Sequence, residues 1–185
     1  ICLKRKRKLT QGLSALRTPF YLHGCPALIT EQQAFQLLVK LGVLPALDGK
    51  RFERQVSLSH NDSARYEDRW VQLKPNPDSP CIFTKGLAVH GVLPMPVRHG
   101  EGKLVARDAA TLQDENLIAL QYTHPETGEA TQEHPWNPNG SPLAIAGLTD
   151  PTGHILGLMP HPEAFHHATN HPGWTRGEVA VPGTA

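Results

Sequence analysis

The residues alone predict a mostly β domain that carries one good helix. Three observations support this. The chain has 185 residues, 39% hydrophobic and 19% charged, which suits one domain with its own core. A single stretch, residues 30–41, has helical spacing. After it come short apolar segments punctuated by many of the 17 prolines and 16 glycines. A parallel α/β sheet needs more helical crossovers than this, so part of a larger domain is expected to lie outside the chain.

The elements follow in order. Pro19-Phe20-Tyr21-Leu22 reads as a short buried strand, and His23-Gly24-Cys25-Pro26 as a turn. In the helix, Ala34, Phe35, Leu38, Val39 and Leu41 make one apolar face. Thr30 with Gln33 forms a capping box that starts the helix at Glu31, and Pro26 offers an earlier start. Gly42 stands where a C-terminal cap belongs. Residues 54–58 and 69–73 alternate as strands do, and Pro75, Pro77 and Pro80 mark a loop. Ile82-Phe83 lead to a turn near Gly86, and residues 104–106 and 117–122 read as further strands. Residues 124–142 form a polar excursion. Residues 143–148 and 154–159 are the arms of a hairpin turned by Asp150-Pro151-Thr152-Gly153. The tail from Gly177 is small and weakly patterned.

Charge and cysteine content narrow the function classes. Six of the 18 basic residues and none of the 17 acidic ones fall in residues 1–20, so the remainder is net acidic. Such a body repels a phosphate backbone, and no nucleic-acid partner is expected. No apolar run is long enough to cross a membrane, and no signal peptide is recognisable. Cys2, Cys25 and Cys81 are odd in number and far apart, which fits a reduced cytoplasmic setting better than a disulfide scaffold. His161, His166, His167 and His171 match no zinc spacing and have no nearby cysteine, so no metal site is expected. Asp62, Arg65, Glu67, Asp68 and Arg69 are mixed in sign and read as a solvated surface network. Trp70, Trp136 and Trp174 are candidates for core or interface anchors.

Met159-Pro160-His161-Pro162-Glu163 is the most informative segment. On an extended piece, His161 and Glu163 point to one side, and Pro162 keeps His161 out of helical backbone. A carboxylate that orients an imidazole is half of a nucleophile–base–orienter triad.

Five blocks occur in order. They are Phe35-Gln36-Leu37-Leu38-Val39-Lys40-Leu41-Gly42, Ser59-His60-Asn61-Asp62 through Trp70, Pro96-Val97-Arg98-His99-Gly100-Glu101-Gly102-Lys103, Asn139-Gly140-Ser141 through Leu148, and Met159 through Phe165. Over residues 35–176 this succession resembles the glutaminase subunit or domain of phosphoribosylformylglycinamidine synthase, a class I, triad-type glutamine amidotransferase. The resemblance implies an α/β fold of the flavodoxin-like three-layer kind, incomplete at its N-terminal side. It divides the chain into a divergent basic segment (1–30), an amidotransferase-like domain (31–176) and a tail (177–185).

For chemistry it implies a cysteine on a strand-to-helix elbow that attacks the glutamine carboxamide, with His161 as base and Glu163 as its orienter. Gln36, His99 and Gly100 fall at substrate-contacting positions. The domain itself carries no cofactor. Ammonia passes to a synthetase partner, a ligase that uses ATP and Mg in cytoplasmic purine biosynthesis. The chain departs from the pattern at the elbow, where the family reads Gly-[Val/Ile]-Cys-Asn-Gly-Phe-Gln. Anchored on Phe35-Gln36, Gln32 stands at the cysteine position and Ala34 at a glycine position. An amide cannot form the thioester. Cys25 is the alternative nucleophile, but Pro26 after it lacks the N–H that helps to hold an oxyanion. Cys81 reads as structural.

Overall fold

The computed structural model describes residues 27–29 and 32–177. The basic run, the strand expected at 19–22, Cys2, Cys25, the capping Thr30 and the expected first helical residue Glu31 lie outside them, as does the tail after Gly177. Eight strands and two helices follow in order: β1 (Ala27–Ile29), α1 (Gln32–Lys40), β2 (Val56–Ser59), β3 (Glu67–Pro75), β4 (Leu93–His99), β5 (Lys103–Ala106), α2 (Ala109–Asp114), β6 (Ile118–Thr123), β7 (Ile145–Thr149) and β8 (Ile155–Leu158). Six strands form one sheet in the order β1-β8-β7-β6-β3-β4, and β2 pairs with β5 in a small second sheet.

β1 and β8 run parallel, with Ala27 opposite Ile155 and Ile29 opposite Gly157. Every other pair is antiparallel. β7 and β8 are buried on both faces, which is why their sequences are continuous apolar runs rather than alternations. The hairpin between them turns at Asp150, whose carboxylate accepts the Ile155 N–H at 3.0 Å.

α1 ends in paired backbone bonds, Gly42 N–H to Val39 O and Val43 N–H to Leu38 O, with Gly42 at φ 67°. Its apolar face docks on β8 through Phe35. A methyl group on Gly157 would lie 2.3 Å from the Phe35 ring, so the helix rests on a bare glycine. One core cluster joins α1, β2, β5 and α2 to the sheet through Phe35, Val39, Leu58, Leu104, Leu112, Leu148 and Met159. The antiparallel half encloses a second, with Val71, Leu73, Val97, Leu120, Tyr122 and Leu158.

Several expectations are corrected. Residues 27–29 are a strand, so the helix does not start at Pro26. β4 was hidden by Pro94 and Pro96. It closes one end of the sheet, where prolines are tolerated, and Leu93, Met95, Val97 and His99 alternate toward its inner face. α2 is capped by Asp108, which accepts the Thr111 N–H at 3.1 Å. Glu67 is not a solvated surface charge, because its side chain is only 4% exposed.

Candidate functional site

The single parallel pair fixes where the site lies. β1 precedes α1 and β8 precedes His161, and because the two strands are parallel their carboxyl ends lie side by side. In α/β proteins the carboxyl ends of parallel strands are where ligands bind. After β8, Met159 N–H still bonds Ala146 O. His161 N–H then donates to Pro96 O on β4 at 2.7 Å. The sheet therefore curls until the segment after β8 reaches β4, although those strands are far apart in its order.

Pro162 begins a single helical turn and leaves His161 outside it at φ −115°. His161 Nδ1 lies 2.7 Å from Glu163 Oε1, the contact expected from their spacing. With the carboxylate as acceptor, Nδ1 carries the proton and Nε2 the lone pair. The His161 side chain is 13% exposed. Its Nε2 is buried and has no hydrogen-bond partner among the described residues. Gln32 is the first residue of α1, as the elbow reading requires. Whether its side chain faces His161 lies outside the described residues.

The other expected positions gather on the β4–β5 hairpin and α1. Gln36 is half-buried on α1, and its amide donates to Glu101 Oε2 at 3.4 Å. Gly100 is half-buried, and its carbonyl accepts the Asn61 N–H at 3.0 Å. His99 is fully buried on β4, with both ring nitrogens unpartnered among the described residues. A methyl on Gly102 would lie 2.4 Å from the His99 ring, so the imidazole is stacked on that glycine. Burial, with the nearby charge of His161, lowers its pKa to about 4, against smaller raising effects from a backbone bond and Glu67. His99 is thus neutral at physiological pH.

Residues outside the expected set build this corner. Asn61 is buried, and its Nδ2 donates to His99 O at 2.8 Å and Arg65 O at 2.9 Å. Its Oδ1 accepts the Gly102 N–H at 3.0 Å. Behind it, Asn139 donates to the Tyr122 hydroxyl at 3.0 Å, and Ser141 Oγ accepts the Leu104 N–H at 2.9 Å. Burial pushes the Tyr122 hydroxyl up, partly offset by Asn139. The polar excursion at 124–142 is therefore partly a buried scaffold. Burial also raises the Glu67 carboxyl. The Ser63 hydroxyl bond, the Arg69 charge and hydrogen bond, and His134 outweigh it and lower the pKa overall. A cleft of about 350 Å³ opens beside this group, lined by Asp62, Ser63, Gln132, His134, Asn137, Pro138 and Gly140. Cys81 is buried in a separate cluster with Ala119 and Leu156. Among the described residues no three His, Cys, Asp or Glu side chains converge as a metal site requires, and no helix is long and apolar enough to cross a membrane.

Residues 31–184 match the model of the CobB/CobQ-like glutamine amidotransferase domain. The chain belongs to this family. It is 40% identical over 142 residues to the phosphoribosylformylglycinamidine synthase subunit PurQ of Dehalococcoides mccartyi, covering 76% of this chain and 52% of that protein. A stretch of 111 residues is 45% identical to the phosphoribosylformylglycinamidine synthase of Drosophila melanogaster, covering 58% of this chain and 8% of that protein. The structure of PurLQS from Thermotoga maritima matches with a TM-score of 0.50 and 26% identity, over 74% of this chain and 50% of that one. The amidotransferase chain thus spans about half the length of the curated relatives it matches first. The family match and the structural likeness together assign its α/β fold to the class I glutamine amidotransferases.

Proposed function

We propose that this chain is the glutaminase component of a phosphoribosylformylglycinamidine synthase, supplying ammonia from glutamine for purine biosynthesis in the cytoplasm. One observation carries the reading. An imidazole held by a carboxylate stands at the end of the only parallel strand pair among the described residues, with its second nitrogen buried and unpartnered. That is the arrangement a general base needs.

In the proposed reaction, His161 Nε2 takes the proton of a thiol as sulfur attacks the glutamine carboxamide. The tetrahedral adduct collapses, His161 returns the proton to the leaving nitrogen, and ammonia departs. Water, activated by the same imidazole, hydrolyses the thioester to glutamate and frees the thiol. Glu163 holds His161 in the required tautomer throughout. Gln36 and Gly100 line the amino-acid site, and His99 supports the wall behind it. Ammonia passes to a synthetase subunit that uses ATP and Mg.

A second reading rests on a specific observation. Gln32 opens α1 where the resemblance expects the nucleophile, and it cannot provide a thiolate. In this reading the chain keeps the fold and the glutamine site but releases no ammonia. Intact mass after incubation with an electrophilic glutamine analogue separates the two. One adduct, mapped to Cys25, establishes the glutaminase. An unmodified but folded chain that still binds glutamine leaves the inactive module.

A further inference from the structure

The outward row of β3 is polar except at one position. Glu67, Val71, Leu73 and Pro75 are buried, while Asp68, Gln72 and Lys74 on the opposite face are not. Trp70 stands in that second row. Directly across from it in the β3–β4 register lies Pro96. The neighbours of Pro96 on the same face of β4, Pro94 and Arg98, are exposed, yet Pro96 itself is buried. The outer face of the sheet is therefore covered at this one cross-strand pair.

The cover is the segment after β8. The Trp70 ring meets Phe165 edge to face, with centroids 5.1 Å apart and 83° between the planes. It meets His171 at 4.7 Å and 68°, and the Phe165 and His171 rings lie 6.0 Å apart. Edge-on contacts at these distances are the favoured way for aromatic rings to pack. Between residues 162 and 175 the hydrogen bonds among the described residues join positions two or three apart, so they shape the segment without fastening it to the sheet. The fastening comes from the cross-strand pair. Pro96 O takes the His161 N–H, and Trp70 takes Phe165. The helical turn Pro162–Ala164, which carries Glu163, is thus pinned at both ends, by His161 before it and Phe165 after it.

We propose that Trp70 is a positioning residue for His161. By holding Phe165 it fixes the far end of the turn, and so keeps the Glu163 carboxylate against His161 Nδ1. The Glu163 side chain is 52% exposed, and His161 is its hydrogen-bond partner among the described residues. Its place therefore depends on the backbone that bears it. This rests on the reading of His161 as general base, and it adds a residue on β3 that sets the tautomer of the base through Phe165 and Glu163.

Nitrogen NMR of the full chain, labelled in its histidine rings, tests this through the ratio of the Nδ1–H to the Nε2–H form of His161. The Nδ1–H form should dominate in the wild-type chain. Trp70→Ala should lower the ratio about 2- to 10-fold, the population equivalent of one aromatic pair. Trp70→Phe keeps a ring for Phe165 and should restore most of it. Trp136→Ala removes a comparable contact elsewhere, with His124 at 5.4 Å, and should leave the ratio unchanged. Circular dichroism establishes that each variant folds. Should Trp70→Ala not fold, Phe165→Ala breaks the same contact from outside the sheet and should give the same fall. A wild-type ratio in the folded Trp70→Ala chain, or in Phe165→Ala where that one decides, overturns the proposal. So does an equal fall in Trp136→Ala, which would make the effect a general loosening. In these cases the general-base reading stands. A wild-type His161 mostly in the Nε2–H form removes that reading, and the role of Trp70 with it.

Discussion

The segment after β8 holds His161 by one carboxylate and one backbone bond, whereas the β4–β5 hairpin holds His99 by enclosure. His161 is slightly exposed, has Nδ1 occupied by Glu163, and keeps Nε2 unused. His99 is sealed, lies on Gly102, and is neutral. The two are close enough for the charge of one to depress the pKa of the other. The difference teaches how one corner can contain both an oriented, open imidazole and an enclosed one. The open ring is oriented by an ionisable partner near solvent. The enclosed ring is deprived of water and serves as packing.

The largest blow to this contrast is Asn61→Ala. It leaves the carbonyls of His99 and Arg65 and the N–H of Gly102 without their partner. Unmet buried groups each cost about 1–3 kcal/mol, so a loss of roughly 4 kcal/mol is expected. Chemical denaturation measures it. An unchanged midpoint would mean that the hairpin is held by something other than Asn61.

A smaller effect comes from pH. His99 has a folded-state pKa of about 4 against an ordinary 6.5. Above pH 6.5 both states are neutral and stability is complete. As pH falls from 6.5 to 4 the unfolded chain takes up a proton that the folded chain refuses, so stability declines. The loss through this group is about 2–3 kcal/mol. His99→Phe should flatten this limb of the stability profile. An equally steep decline in the variant would assign it to other groups.

The smallest effect on stability, and the sharpest on the comparison, is Glu163→Gln. Its side chain is 52% exposed, so its loss should cost under about 1 kcal/mol. The His161 tautomer should nevertheless shift, and nitrogen chemical shifts read it directly. An unaltered tautomer population would deny Glu163 its orienting role.

Much of this was legible in the sequence. The hairpin of β7 and β8 and its turn follow from apolar runs around Asp150-Pro151-Thr152-Gly153. The His161–Glu163 contact was expected from their spacing, but it is made across the start of a helical turn and not on an extended segment. The cap at Gly42 was equally plain. What stayed hidden has a common cause: the deciding partner is remote. β4 alternates correctly, but two prolines hide it unless its place at the end of the sheet is known. Asn61 lies 38 residues from the His99 carbonyl it anchors, and Asn139 is 17 from Tyr122. A buried asparagine and a surface one look alike in a sequence. Glu67 read as exposed because it stands in a run of mixed charges, and only the inward alternation of β3 separates it from Asp68. α2 had a usable signal, Asp108 three residues before Thr111.

The two prolines of β4 have a consequence for solubility. Proline has no N–H, so neither Pro94 nor Pro96 can donate a bond to an incoming chain. The Pro96 carbonyl is also taken, by His161. A strand from another molecule laid along β4 would meet missing donors and an occupied acceptor. The bond that steadies the proposed general base thus also blunts a sheet margin against intermolecular β-pairing.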